Sequence, residues 1–109
     1  MPYDQELADR LRLLLSGAGL TEERMFGGLA FLANGHMAVA ASGQGGLLVR
    51  VDPTETDALL AEPGAAPFEM RGRAMRGWLR VDAHALHDDA VLQAWAQRGV
   101  EHARSLPPK

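Results

Sequence analysis

The dipeptide Asn34-Gly35 stands between two apolar runs, Leu29-Ala30-Phe31-Leu32-Ala33 and Met37-Ala38-Val39. No other short feature of the chain restricts its folding so strongly. A two-residue type I′ connection needs positive φ at both central positions, and asparagine followed by glycine meets that need with the least strain. Residues 24–39 therefore read as a β-hairpin. Alternation of side chains puts Leu29, Phe31 and Ala33 on one face of the entering strand and Ala30 and Leu32 on the other. Gly27-Gly28, where that strand begins, points to a bulge or a close backbone approach.

The rest of the chain arranges itself around this hairpin. Leu7, Leu11, Leu14 and Leu15 form one apolar stripe of a helix over residues 4–16, opened by Asp4 and stopped by Gly17 and Gly19. Thr21-Glu22-Glu23 reads as the lead into the hairpin. The glycine-rich turn 42–46 precedes a strand in which Leu47, Val49 and Val51 share one face and Leu48 and Arg50 the other. Asp52-Pro53-Thr54-Glu55 is a helix start, with the aspartate as cap, and that helix runs to about Ala61. Residues 67–71 and 77–81 read as two strands connected by 72–76. Asp88 caps a last helix ending near Ser105, with Val91, Leu92, Trp95, Gly99, His102 and Leu106 on its inner stripe.

The order is α-β-β-β-α-β-β-α. It implies an α+β domain over residues 1–109: a five-stranded antiparallel sheet, two-layered, with helices on one face. The expected core is Phe26, Phe31, Leu47, Val49 and Trp95, continued by Val51. Leu32 and Leu48 fall on the face without helices. An uncovered apolar face is an interface or a liability, so a homodimer is expected.

Charge and composition remove several function classes. There is no cysteine, which excludes disulfides, thiolate metal sites and thiol catalysis. No apolar run approaches the ~20 residues a membrane helix needs, and the polar, acidic N-terminus shows no signal peptide, so a cytoplasmic protein without membrane contact is expected. The four histidines, His36, His84, His87 and His102, include one pair at helical spacing but no His-Glu-x-x-His pattern, and no metal site or cofactor is expected. Ser16, Ser42 and Ser105 are the serines, and none lies in a Gly-x-Ser-x-Gly elbow, so no catalytic residue is assigned. One local anomaly remains. In a chain of net charge −3, residues 71–80 hold Arg71, Arg73, Arg76 and Arg80 and no acid. Arginine beside glycine and an aromatic suits an anion, a nucleic acid or an acidic partner. Arg73 and Arg76, expected in the connection, are the stronger candidates for such contacts, and Arg71 and Arg80 are expected in structural pairs.

An ordered series of short motifs resembles one known family. Met25-Phe26-Gly27-Gly28 is followed by Phe31 and the turn at Gly35. Then come Leu47-Leu48-Val49-Arg50-Val51 before Asp52-Pro53, Met75, Gly77-Trp78-Leu79-Arg80-Val81, and a helix around Trp95. Over residues 3–106 this resembles the N-terminal domain of the TfoX/Sxy competence-regulator family. The resemblance implies a two-layer fold of the secretion-chaperone type. It also implies a non-enzymatic regulatory or protein-interaction role, linked to competence or transcription, with a protein partner or a second copy as the contact. Full-length regulators of that family carry a second, C-terminal domain, and the expectation is a stand-alone N-terminal domain.

Overall fold

In the computed structural model, which describes residues 3–25 and 27–108, Asn34 and Gly35 take φ of +53° and +85°. They form the expected type I′ turn, joining β2 (Gly28–Ala33) to β3 (His36–Ala41) with Ala33 opposite His36. The register then slips once. Leu32 pairs with Met37 but Phe31 with Val39, so Ala38 is the unpaired residue of a bulge. Gly28 makes the other expected close approach: a Cβ there would lie 2.3 Å from the Ala41 carbonyl oxygen.

Among the described residues the sheet has six strands rather than five. The extra one is β1 (Thr21–Met25), which pairs antiparallel with β2 from Thr21↔Leu32 to Met25↔Gly28. Its sequence is mostly charged and its first four residues are exposed, so it carries no hydrophobic alternation. Charged side chains on an edge strand are a common guard against pairing with other chains. β4 (Leu47–Arg50) follows β3. A 3-10 turn at Pro53–Glu55 and the short α2 (Thr56–Leu59) replace the longer helix read from Asp52-Pro53. Asp52 still caps this segment, accepting from the Thr54 amide at 2.9 Å and hydroxyl at 2.8 Å. β5 (Ala65–Met70) and β6 (Arg73–Val81) complete the antiparallel order β1-β2-β3-β4-β6-β5.

Helices α1 (Gln5–Leu14) and α3 (Asp89–Ser105) cover one face. Asp4 caps α1 through the Leu7 amide, and Asp88 caps α3 through the Ala90 amide. Under them run two rows of side chains: Phe31, Val39, Val49 and Leu79, then Leu29, Ala41, Leu47 and Val81. Trp95, from α3, belongs to the same core cluster as these rows and α1 and is one of the largest fully buried side chains. The expected core is present at Phe31, Leu47, Val49, Val51 and Trp95; Phe26 lies outside the described residues. The stripe of α3 is rotated from the expected one. Leu92, Trp95, Ala96, Gly99, Val100 and Ala103 are buried, while Val91 is exposed and His102 and Leu106 lie at the margin. Gly99 sets this rotation: a Cβ there would come within 2.3 Å of the Ala38 carbonyl oxygen, so α3 lies directly on the bulge of β3.

Candidate functional site

The face away from the helices is not open in the way the sequence suggested. Ala30, Leu32, Ala40 and Leu48 are all buried there, with Leu32 and Leu48 each only 8% exposed. Met25, Met37, Phe68 and Trp78 pack over them. The cover comes from the chain itself, Met25 and Met37 from β1 and β3 and the aromatic part from a distortion of β6. Its register with β5 shifts by three residues between Pro67↔Leu79 and Glu69↔Ala74, and Gly77 at that break adopts φ +86°. The Gly77 amide donates to Thr56 Oγ1 at 3.0 Å and its carbonyl accepts from the Val51 amide at 2.8 Å, so the kink is pinned to the segment after β4. Beyond the kink the β5–β6 tip packs Phe68 over the smaller cluster. Trp78 lies against Phe68 with ring centroids 6.5 Å apart, and the Arg50 guanidinium sits 5.1 Å from the Trp78 ring.

This curvature brings the two edge strands to one groove of about 290 Å³. Met25 contributes from β1, Met37 and Ala40 from β3, Leu48 from β4, and Phe68 and Met70 from β5. The row Ala30, Ala40, Leu48, Arg80, Ala66 crosses the sheet on this side, and its middle members Ala40, Leu48 and Arg80 line the groove. Arg71, Arg80 and Glu69 supply the charges, with Ser42 and Gln44 as neutral polar groups.

Of the four arginines, two are tied and two are not. Arg80 donates to Ser42 Oγ at 3.1 Å and to the Gly45 carbonyl at 2.7 Å, fixing the glycine-rich loop against the sheet. Arg76 donates to the Pro53 carbonyl at 3.1 Å and lies 3.8 Å from Asp57. Arg71 and Arg73 form no ion pair or side-chain hydrogen bond among the described residues. The expected connection over 72–76 is also different: Arg71-Gly72 is a two-residue turn with φ of +55° and +77°, and Arg73 and Arg76 lie on β6. The arginine in the turn is thus Arg71, at the mouth of the groove.

The histidines do not converge. His36 Nε2 donates to the Pro107 carbonyl at 2.6 Å, His84 and His87 have ring centroids 6.3 Å apart, and His102 lines a separate cleft with Asp52 and Glu101. Among the described residues no group of three or more His, Asp or Glu could hold a metal ion, and no helix is long and apolar enough to cross a membrane. Ser42, in the turn, accepts from the Gln44 amide and from Arg80.

Sequence reasoning misses Met37, Phe68 and Met70 as parts of one site. The available signal was the second strand face, where Ala30, Ala40 and Leu48 alternate with the core residues. The kink that gathers the walls is a backbone event at Gly77, invisible to alternation.

The Gly28 contact, the Asn34-Gly35 turn and buried Phe31 are where the motif series put them. Neither the curated proteins nor the solved structures contain a match to the chain. The TfoX N-terminal domain matches residues 12–103, nearly the whole length of the fold described above, and the chain belongs to that family.

Proposed function

We propose that this domain is a non-enzymatic regulatory module that works through protein contact, and that its working surface is the curved face opposite the helices. The observation that carries the reading is the groove between the two sheet edges, with thioether and aromatic walls and with Arg71 and Arg80 in its lining. Methionine-lined surfaces adapt to protein segments of varied shape. Family membership supports the regulatory half of the reading, since competence regulators give the family its name.

A photo-crosslinking amino acid at Met70, on the groove, should give discrete protein adducts in the host cell. The same group at Leu13, 77% exposed on α1, should not. Equal adduct patterns from both positions would count against the face.

A second reading has its own observation: Arg71 and Arg73 lie exposed on one hairpin without carboxylate partners among the described residues. It makes the hairpin an anion or nucleic-acid site. Titration of labelled single- and double-stranded nucleic acid across a salt series separates the two. Binding with a steep salt slope that vanishes in an Arg71→Asp, Arg73→Gln variant supports this second reading, and no binding at low salt removes it.

A further inference from the structure

We infer that the groove receives an extended segment of a partner protein that presents one large apolar side chain flanked by acidic residues. The inference rests on the protein-contact reading and names the chemistry of the contact. Three features define the occupant. The floor is built from Ala40 and Leu48 with Arg80 beside them, so an apolar group can rest on aliphatic carbon next to a fixed positive charge. At about 290 Å³ the groove is small for a folded element and suited to a single bulky side chain. Its walls include Met37, Phe68 and Met70. Thioethers change rotamer easily and favour aromatic contacts, so the walls select for an apolar group without demanding one shape.

Charge selects the flanks. Arg71 and Arg80 line the groove against one acid, Glu69, in a protein of net charge −3. Arg80 is already held by Ser42 and Gly45, so its guanidinium presents a fixed charge that needs no ordering on binding. Arg71 stands in the turn of the tip with no partner of its own among the described residues, in place to pair with a carboxylate beside the buried side chain. A nucleic acid fits poorly, because Ala40, Leu48 and Glu69 offer nothing to a phosphate chain.

Selection from a random peptide library displayed on phage, against the immobilised protein, tests this. Selected peptides are then titrated by fluorescence anisotropy against the parent and three variants. Met70→Glu places a like charge in the groove. Arg71→Asp reverses the charge at the turn and keeps a residue that tolerates positive φ. Met75→Glu is the control: Met75 lies on the same hairpin, is 39% exposed against 40% for Met70, and does not line the groove. The expected peptides combine Asp or Glu with Leu, Phe or Trp. They should lose about tenfold or more in affinity to Met70→Glu and to Arg71→Asp, hold their affinity for Met75→Glu, and weaken with salt.

Peptides bound equally by all four proteins would overturn the inference while leaving protein contact elsewhere intact. Selection of basic sequences would overturn its charge premise. No enrichment over a blank surface would overturn the inference, while the crosslinking comparison of Met70 with Leu13 tests the reading beneath it separately. Light scattering on the parent covers the remaining occupant: a dimer dissociated by Met70→Glu would make a second copy the resident of the groove and overturn the proposal.

Discussion

Two glycines carry opposite kinds of necessity. Gly35 is needed for its φ of +85°, in the turn that sets the β2–β3 register. A left-handed backbone costs an L-residue about 1–2 kcal/mol, and a β-branched one more. Gly35→Val should therefore lower stability by about 2 kcal/mol or more, whereas Gly35→Asn, which tolerates that region, should lose about half as much or less. Equal urea midpoints for the two variants would show that the turn does not depend on backbone handedness. Gly99 is needed for space. In a helix interior Gly→Ala gains about 0.8–1.0 kcal/mol from propensity, but here the added methyl meets the Ala38 carbonyl oxygen at 2.3 Å and Val39 Cγ1 at 2.9 Å. The first contact is backbone and cannot rotate away. Overpacking costs typically reach about 1–3 kcal/mol, so Gly99→Ala should destabilise in net despite its propensity gain. A rise in melting temperature would mean that α3 can lift off the bulge at little cost.

β1 shows where the reading of a strand depends on its neighbours. Thr21-Glu22-Glu23-Arg24-Met25 has no apolar alternation, so nothing local marks it as a strand, and β2 supplies its hydrogen bonds. A tie to the helical layer is the two-pronged pair of Arg12 on α1 with Glu22, at 2.9 Å for each prong. Bonding from the Arg12 side chain holds the Glu22 carboxyl below its ordinary value of 4.5, and the electrostatic attraction adds to this. A carboxylate lowered in the folded state stabilises above the unfolded value, and that contribution is lost as pH falls through the lowered one. Glu22→Gln should thus shift the denaturation midpoint slightly at neutral pH and not at all once the parent's Glu22 is protonated. An offset that persists at acid pH would assign the effect to something other than this pair. The central hairpin, by contrast, was legible because Asn34-Gly35 and the Leu29–Ala33 alternation both act within a few residues. So were the caps at Asp4, Asp52 and Asp88, whose acceptors lie two or three residues from their donors. The Arg71-Gly72 turn escaped because arginine rarely takes positive φ, and the groove escaped because it forms from strands far apart in the chain.

The molecule as a whole has two apolar layers of unequal weight, and the difference bears on how it can work. The layer beneath α1 and α3 holds Trp95 and the two rows of apolar side chains; the layer on the curved face is four small or medium residues under a partial cover. If the first supplies the stability, the second is free to change its packing when a partner enters. The comparison of two phenylalanines tests this division. Phe31, 3% exposed, sits in the larger layer, and truncating such a residue costs about 3–5 kcal/mol. Phe68 is half-buried on the hairpin tip, so its truncation should cost about 1–1.5 kcal/mol, scaled from full burial of such a side chain. Phe68→Ala should unfold at a midpoint near the parent's and with the same denaturant dependence, while Phe31→Ala should be largely unfolded or strongly shifted. Amide exchange adds the spatial half of the test: in Phe68→Ala, protection should fall along β5 and the outer part of β6 and hold along β3 and α3. If Phe68→Ala instead loses as much stability as Phe31→Ala, with exchange rising everywhere, the two layers form one cooperative core and the curved face has no independent freedom to adapt.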